Sequence, residues 1–300
     1  MATGLRRTEQ RHPESLGLDA RSSQEVLARL LDGQVRALAS VDAALPAIAE
    51  AVALAADALD RGGRLVYLAA GSPALIALAD ALEIPQTYGE PAERFAAILA
   101  GGLDIVRDFT GGPEDDAAAG RRDVEAAGIG DRDCVLAVSA SGSTPFVVAG
   151  LEAARDAGAA TVAVANNADA PIFAAADVAI LLDTGPEVVA GSTRMGAGTA
   201  QKAVLNMIST ALAVRRGHVH DGHMVSLRAD NAKLLERAAR MVADAAGTPP
   251  EIAAAALEKT GGEVKPAVLL AAGASDLSDA RARLARTKGH LRRALQELGR

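Results

Sequence analysis

The sequence predicts an α/β fold in which helices cover both faces of a parallel five-stranded sheet. Half of the 300 residues are hydrophobic, yet only 2% are aromatic, so Ala, Val and Leu must fill the core. Short apolar runs, typical of strands buried on both faces, alternate with longer segments of helical periodicity. This repeated alternation favours a parallel sheet with right-handed crossover connections.

Two helices are expected before the first strand. Residues 1–20 lack periodicity and predict an extended arm. Ser22 to Glu25 form the pattern of a capping box, and apolar residues at helical spacing follow it. A second helix is expected over residues 41–59. It should end at Gly62 and Gly63, because glycine commonly follows the last helical turn.

Five apolar runs predict the strands, at residues 64–69, 95–99, 134–138, 160–165 and 177–182. The segments between them predict helices over residues 73–82, 124–127, 144–157 and 197–214, with a loop-like segment over residues 108–116. Helices are also expected over residues 230–246, 249–259, 264–271 and 278–298. We therefore expect an N-terminal arm with helices (1–60), an α/β domain (61–225) and a C-terminal helical region (226–300).

A hydroxyl-rich turn follows the third predicted strand and is the most informative stretch of the chain. It consists of Ser139, Ser141, Gly142, Ser143 and Thr144. Proline favours the first helical position, so Pro145 makes Thr144 the expected N-cap. Free amide groups, the positive helix end and several hydroxyls together predict an anion site suited to phosphate. A capped turn without a ligand is the alternative interpretation.

A similar turn follows the first predicted strand, where Ser72 precedes Pro73 at a helix start. In open α/β sheets, ligands bind beyond the carboxyl ends of the strands, at the point where the strand order reverses. A strand order of 2-1-3-4-5 makes the two turns neighbours. Their convergence favours a binding site over two unrelated helix caps.

Composition excludes several other classes of protein. The net charge of −7, the pI near 5.3 and the scarcity of aromatic residues argue against a nucleic acid partner. Cys134 lies within a predicted strand and is expected to be a core residue. The N-terminus has no secretory apolar region, and no uninterrupted apolar run has the roughly 20 residues that a bilayer span needs. We expect a cytoplasmic protein without a membrane partner.

Many separated segments resemble the N-acetylmuramic acid 6-phosphate etherase family, whose fold is that of the sugar isomerase (SIS) domain. The turn at residues 139–144 is similar to the phosphosugar-binding signature of that fold. The other matching segments are residues 8–15, 62–67, 80–89, 100–115, 187–195, 197–207 and 257–262. Because the resemblance covers nearly the whole chain, it implies an SIS-type doubly wound sheet and a homodimer.

The resemblance also implies a carbon–oxygen lyase that cleaves the ether between a phosphorylated amino sugar and D-lactate. The sugar opens, the C2 proton is removed, lactate is eliminated and water adds across the double bond. Two carboxylates carry the proton transfers and correspond to Glu83 and Glu114. One must be protonated and the other ionised, which unlike environments in a partly dry cleft can achieve. Without the resemblance, Glu83 would be a surface carboxylate at a helix end and Glu114 a solvated loop acid.

The substrate-binding residues implied by the resemblance are Ser72, Ser139, Ser141, Gly142, Ser143, Thr144, Ser192 and Lys202. We expect no cofactor and no bound metal. His218, His220 and His223 fall in a predicted turn with Asp221 as the one acidic neighbour, so a solvated or interface turn is favoured over a metal site.

The chain departs from the family at the ligand end. The family loop Gly-Thr-Ser-Gly-Arg reads Gly-Ser-Pro-Ala-Leu at residues 71–75, and Ser143 and Gly196 stand where an arginine and a lysine are usual. Pro73 also removes a backbone donor. One alternative is therefore elimination, hydration or epimerisation of a different sugar or nucleoside, with or without a phosphate, in a biosynthetic pathway. Another alternative is a non-catalytic sugar-phosphate sensor, although a sensor would be expected to lose the two carboxylates.

Overall fold

The computed structural model describes residues 6–226 and 232–299 and confirms the predicted α/β class. The five parallel strands have the order β2-β1-β3-β4-β5. Their bounds are β1 (Leu65–Ala69), β2 (Phe95–Leu99), β3 (Cys134–Ser139), β4 (Ala160–Ala165) and β5 (Val178–Leu181). Each strand lies within one residue of its predicted ends, because each is a continuous apolar run bounded by turn residues.

Eleven α-helices are present among the described residues. They are α1 (Ser23–Ala39), α2 (Leu45–Asp60), α3 (Ser72–Tyr88), α4 (Ala117–Ala126), α5 (Pro145–Asp156), α6 (Gly196–Arg215), α7 (Ala232–Ala246), α8 (Pro250–Lys259), α9 (Val264–Ala271), α10 (Leu277–Arg286) and α11 (Leu291–Gln296). A short antiparallel hairpin of β6 (Val219–His220) and β7 (His223–Met224) replaces the predicted turn that holds the three histidines. The predicted capping box of α1 is confirmed.

The chain divides into two compact units. The first unit comprises residues 1–82 and 92–209 and contains the whole five-stranded sheet. The second unit comprises residues 83–91 and 210–300 and has its own apolar core, built mainly from α7 to α11. The three-part division at residues 60 and 225 stays a prediction.

The strands and helices of the first unit pack closely together. The strands β1 and β3 are fully buried along their length. Cys134 is a buried core residue, and burial raises the pKa of its thiol to about 12. In α4, Gly120 lies so close to α5 that a Cβ atom there would be 2.1 Å from the Phe146 carbonyl oxygen. The α4–α5 contact therefore depends on the missing side chain.

Helix α3 runs farther than predicted. The sequence suggested an end near Leu82, before Ile84 and Pro85, because proline removes a helical hydrogen bond. The helix instead continues through Pro85 to Tyr88. Ile84 and Tyr88 are buried, and the Tyr88 hydroxyl donates to Thr210 Oγ1 at 3.1 Å. Packing of this last turn outweighs the lost hydrogen bond, so Glu83 lies inside a helix and not after one.

The predicted C-terminal helix over residues 278–298 is wrong as a single element, because α10 and α11 are separate. Lys288 and Gly289 between them adopt positive φ angles of 52° and 78°. The Thr287 hydroxyl bonds back to the Arg283 carbonyl at 2.9 Å and closes the last turn of α10. The sequence did not predict this left-handed turn, because apolar residues follow helical spacing on both sides of it.

One helical stretch among the described residues, Ser23–Asp60, is apolar and long enough to cross a membrane by length and composition alone. Charged residues such as Asp42, Glu50 and Asp57 interrupt this stretch, so it is not an uninterrupted apolar run. Core helices of soluble proteins pass the same test, and Ile48, Val52 and Leu59 of α2 are buried in this structure. In contrast, Leu27 and Leu31 of α1 are 64% and 66% exposed.

We predict that Gly120→Ala lowers the free energy of unfolding by about 1–3 kcal/mol, although alanine favours helices by about 1 kcal/mol over glycine. The new methyl group would collide with the backbone of α5. Chemical denaturation measures the change, and Gly130→Ala is the matched control because a Cβ atom there meets nothing within 4 Å. Equal stability of Gly120→Ala and the wild type would refute the close α4–α5 contact.

Candidate active site

The hydroxyls of the turn after β3 are bonded to one another. Ser139 Oγ lies 2.9 Å from Thr144 Oγ1 and accepts the Gly142 amide at 3.1 Å. Ser141 Oγ accepts from the Ser143 amide and the Ser143 hydroxyl, both at 3.2 Å. The structure thus brings together all five residues predicted in this turn. Their internal hydrogen bonds fix the turn's shape before any ligand arrives.

Thr144 is the residue before α5, as predicted, but its side chain makes no capping hydrogen bond. The prediction of a threonine N-cap is wrong in this respect, since Ser139 holds the hydroxyl elsewhere. The first amide groups of a helix have no partner inside the helix. Without a side-chain cap, the positive end of α5 is available to an anion.

Helix α6 differs from α5 at its N-terminus. The buried Glu187 carboxylate accepts the amides of Gly196 and Ala197 at 2.9 and 2.8 Å. Because an internal carboxylate already occupies this helix end, it cannot attract a second anion. Ser192 lies half-buried in the loop that precedes α6, where its amide donates to the Val189 carbonyl at 2.9 Å.

Two buried asparagines after β4 connect the carboxyl ends of the strands. Asn167 Nδ2 donates to the Ala140 carbonyl at 3.1 Å and to Thr8 Oγ1 at 3.3 Å. Asn166 Nδ2 donates to the Leu182 carbonyl at 3.2 Å, and its Oδ1 accepts from Gln201 at 2.8 Å. Sequence reasoning gave these side chains no role, although paired amides directly after a buried strand are a usable signal.

Glu114 lies directly against the turn after β1. Gly71 has a φ of +62°, and a Cβ atom there would be 2.8 Å from Glu114 Oε1. This contact places the carboxylate against the residue that directly precedes α3. Burial, with a smaller contribution from Asp115, raises the pKa of Glu114 above its ordinary value. A carboxyl group that holds its proton more tightly is suited to protonating a leaving group.

Lys202 is exposed on α6, and a chain of polar side chains fixes its position. Its Nζ donates to Asn206 Oδ1, and Asn206 Nδ2 donates to Asp80 Oδ1 at 2.6 Å. Asp80 is 4% exposed and also accepts from the Tyr67 hydroxyl at 2.6 Å and from Ser209 at 3.0 Å. Sequence reasoning missed the role of Asp80, a buried acid that supports a surface cation through an amide.

Glu83 is placed in the second unit by the division of the chain. It is exposed on α3, and its side chain makes no hydrogen bond or ion pair with residues 6–226 or 232–299. The other predicted site residues all belong to the first unit. There the structure brings Glu114 next to the Gly71 turn and the five turn residues next to one another.

Two family models match the chain: the SIS domain over residues 117–211, and the glucokinase regulatory protein N-terminal SIS domain over residues 47–155. Among solved structures, a phosphoheptose isomerase from Francisella tularensis has a TM-score of 0.51 at 16% identity. The match covers 65% of this chain and 100% of that one. A likeness at this identity supports the fold, and the SIS-type sheet predicted from the sequence is confirmed.

Curated relatives match over almost their full length. The N-acetylmuramic acid 6-phosphate etherase of Deinococcus radiodurans is 45% identical over 295 residues, which cover 98% of this chain and 97% of the relative. The etherase of Cronobacter sakazakii is 45% identical over 289 residues, which cover 96% and 97% of the two chains. The etherase of Salmonella agona is 43% identical over 296 residues, which cover 99% and 100%.

We predict that Gly71→Ala destabilises the protein more than Gly102→Ala does. Both glycines have nearly the same left-handed φ, +62° and +61°, so alanine costs each about 1–2 kcal/mol of backbone strain. Only the Gly71 methyl group would displace the Glu114 carboxylate, the end of a flexible side chain, so the excess cost is small; nothing lies within 4 Å of a Cβ atom at Gly102. The excess cost should disappear when Gly71→Ala is made in the Glu114→Ala background and measured by chemical denaturation. An unchanged excess in that background would contradict the Gly71–Glu114 contact.

Proposed function

The chain belongs to the N-acetylmuramic acid 6-phosphate etherase family, and we propose that it cleaves N-acetylmuramic acid 6-phosphate into a sugar phosphate and D-lactate. Its class is that of an etherase-like carbon–oxygen lyase. The observation that carries the proposal is Glu114, a carboxyl group of raised pKa held against the Gly71 turn. Such a group can donate the proton that a departing ether oxygen requires.

The sugar phosphate is proposed to bind at the hydroxyl turns after β1 and β3. The open N-terminus of α5 attracts the phosphate, and Ser139, Ser141, Ser143 and Thr144 surround it with hydroxyls. Gly142, at a φ of 67°, lets the backbone turn sharply between them. A side chain there would collide with Ala170, so this turn has no room for a bulkier residue. Ser72, Ser192 and Lys202 are proposed to supply further donors.

Glu83 and Glu114 are proposed to divide the proton transfers. Glu83 takes the C2 proton of the open-chain sugar while the bond between C3 and the ether oxygen breaks. Glu114 gives its proton to that oxygen, and lactate departs. The ionised Glu114 then takes a proton from water as the hydroxide adds to C3, and Glu83 returns its proton to C2. Each carboxyl group ends in its starting state, so no cofactor is needed.

A second copy of the chain is proposed to cover the exposed apolar face of α1. Leu27, Leu31, Val35 and Leu38 follow one another at helical spacing and are between 46% and 66% exposed. A stripe of this size on a helix is typical of an interaction surface. A self-complementary dimer accounts for it and agrees with a cytoplasmic metabolic enzyme, which we propose this protein to be.

A second candidate substrate is the same type of molecule without its phosphate. Residues 71–75 and 139–144 contain no lysine or arginine, so hydroxyls and amides would have to bind the anion without a direct cationic partner from these turns. A charge-assisted contact typically contributes about 1.5–3 kcal/mol. A lyase for a neutral sugar would not need that contact, and comparison of the two substrates decides between them.

We predict that the wild type releases D-lactate from N-acetylmuramic acid 6-phosphate and that Glu83→Gln and Glu114→Gln each lower kcat about 10²–10⁴-fold, since each removes one proton-transfer group. Coupled lactate detection measures the rate. Glu93→Gln is the matched control, because Glu93 is exposed and outside the site. Faster release from unphosphorylated N-acetylmuramic acid would select the second candidate. A sensor would release no lactate from either compound.

We predict that Leu31→Glu separates the dimer into monomers. A carboxylate buried in an apolar interface is strongly unfavourable, so the dissociation constant should rise about tenfold or more. Sedimentation equilibrium measures it, with Ile252→Glu as a control at a leucine-sized exposed side chain on α8. A wild-type chain that sediments as a monomer would contradict the proposed dimer.

A further inference from the structure

The second unit contains a cavity of about 820 Å³, and no residue assigned to the lyase reaction lines it. This volume is in the range of sites that hold small organic ligands. The apolar part of the wall is formed by Pro85, Val225, Leu234, Val264, Pro266 and Leu284. Charged or nucleophilic side chains also line it: Glu90, Ser226, Glu263, Lys265 and Arg281.

Glu90 already has its partners. Its Oε1 accepts from Arg216 Nε at 2.5 Å and lies 2.7 Å from His218 Nε2. Burial raises the pKa of Glu90, but the hydrogen bonds from His218 and Arg216 outweigh it and lower the pKa to about 2. The carboxylate is therefore ionised at neutral pH and needs no further cation.

The same network fixes Ser226. His218 Nδ1 lies 2.7 Å from Ser226 Oγ. When Nε2 carries the proton that bonds to Glu90, a neutral ring accepts the Ser226 hydroxyl at Nδ1. The Ser226 oxygen then remains an acceptor at the cavity wall for a hydroxyl group of a ligand.

Lys265, in contrast, is a cation without an internal partner. Its ammonium makes no hydrogen bond or ion pair with any residue that the structure describes. Burial lowers the pKa of Lys265 to about 8 against the opposing field of Glu90, so most of the population is charged at neutral pH. A half-buried ammonium without a partner is unfavourable unless an anion joins it.

The start of helix α9 adds to this positive field. Val264, Lys265 and Pro266 are its first three residues and all line the cavity. The Glu263 side chain makes no capping bond and instead pairs with Arg281 at 2.7 Å. The Val264 and Lys265 amides therefore lack a side-chain acceptor, although Pro266 contributes no N–H, and the helix end favours negative charge.

We infer that this cavity binds a small organic anion, with its carboxylate or phosphate group at Lys265 and its apolar part against Val225, Val264 and Leu284. The inference is independent of the proposed lyase function, because no residue that lines the cavity is assigned to that reaction. Carboxylate and phosphate share the chemistry that Lys265 recognises, and the experiment separates them.

Competitive acetylation of the full-length protein tests the site. Brief treatment with acetic anhydride near pH 8, followed by peptide mass spectrometry, reports the labelling rate of each lysine. We expect butyrate or inorganic phosphate to slow labelling of Lys265 several-fold while the exposed Lys259 and Lys288 are unaffected. The anion that protects more identifies the preferred group. Labelling of Lys265 that neither anion changes would overturn the inference.

Variants give a second test by titration calorimetry with the more protective anion. Lys265→Met should weaken binding at least about tenfold, since it removes a charge-assisted contact. Lys265→Arg should retain binding, which would show that the loss of binding in Lys265→Met is not due to misfolding. Lys259→Met is the matched control. Lactate release should be unchanged in Lys265→Met. Wild-type affinity in Lys265→Met, or loss of lactate release in folded Lys265→Met, would contradict a separate anion site.

Discussion

The burial of parallel strands on both faces is the constraint on which the rest of the first unit depends. Strands such as β1 and β3 have no face left for polar side chains, so hydroxyls, amides and carboxylates gather where the strands end. Parallel strands end at the same edge of the sheet. The turn after β3, the asparagines after β4 and the Gly71 turn after β1 therefore share one edge. The candidate active site is a direct consequence of this arrangement.

Charge is distributed unevenly along that edge. Glu187 neutralises the N-terminus of α6, whereas α5 begins without a side-chain cap because Ser139 holds the Thr144 hydroxyl. One helix end is thus closed to anions and the other is open. Glu114 is partly buried against Gly71, and this burial, not a neighbouring cation, determines the direction of its pKa shift. The turn at residues 139–144, which lacks arginine and lysine, thus still leads into a helix end that is compatible with phosphate.

The strands and the hydroxyl turn could be predicted from the sequence, for physical reasons. Continuous apolar runs bounded by turn residues define strands well, and the hydroxyl turn followed by Pro145 indicated its helix. Other features depended on tertiary contacts that no local pattern contains. The continuation of α3 through Pro85 depends on the packing of Tyr88, and the open start of α5 depends on Ser139. The cavity at Lys265 joins residues from widely separated segments, so their spacing along the chain gives no hint of it.

The central proposal is that the reaction is an elimination followed by addition of water. Turnover of N-acetylmuramic acid 6-phosphate in ²H₂O enriched in ¹⁸O, with mass analysis of both products, tests it directly. The account predicts that the sugar phosphate gains deuterium at C2 and ¹⁸O at C3, while lactate retains the ether oxygen and stays unlabelled. Lactate that contains ¹⁸O, or a sugar phosphate without deuterium at C2, would contradict the elimination mechanism.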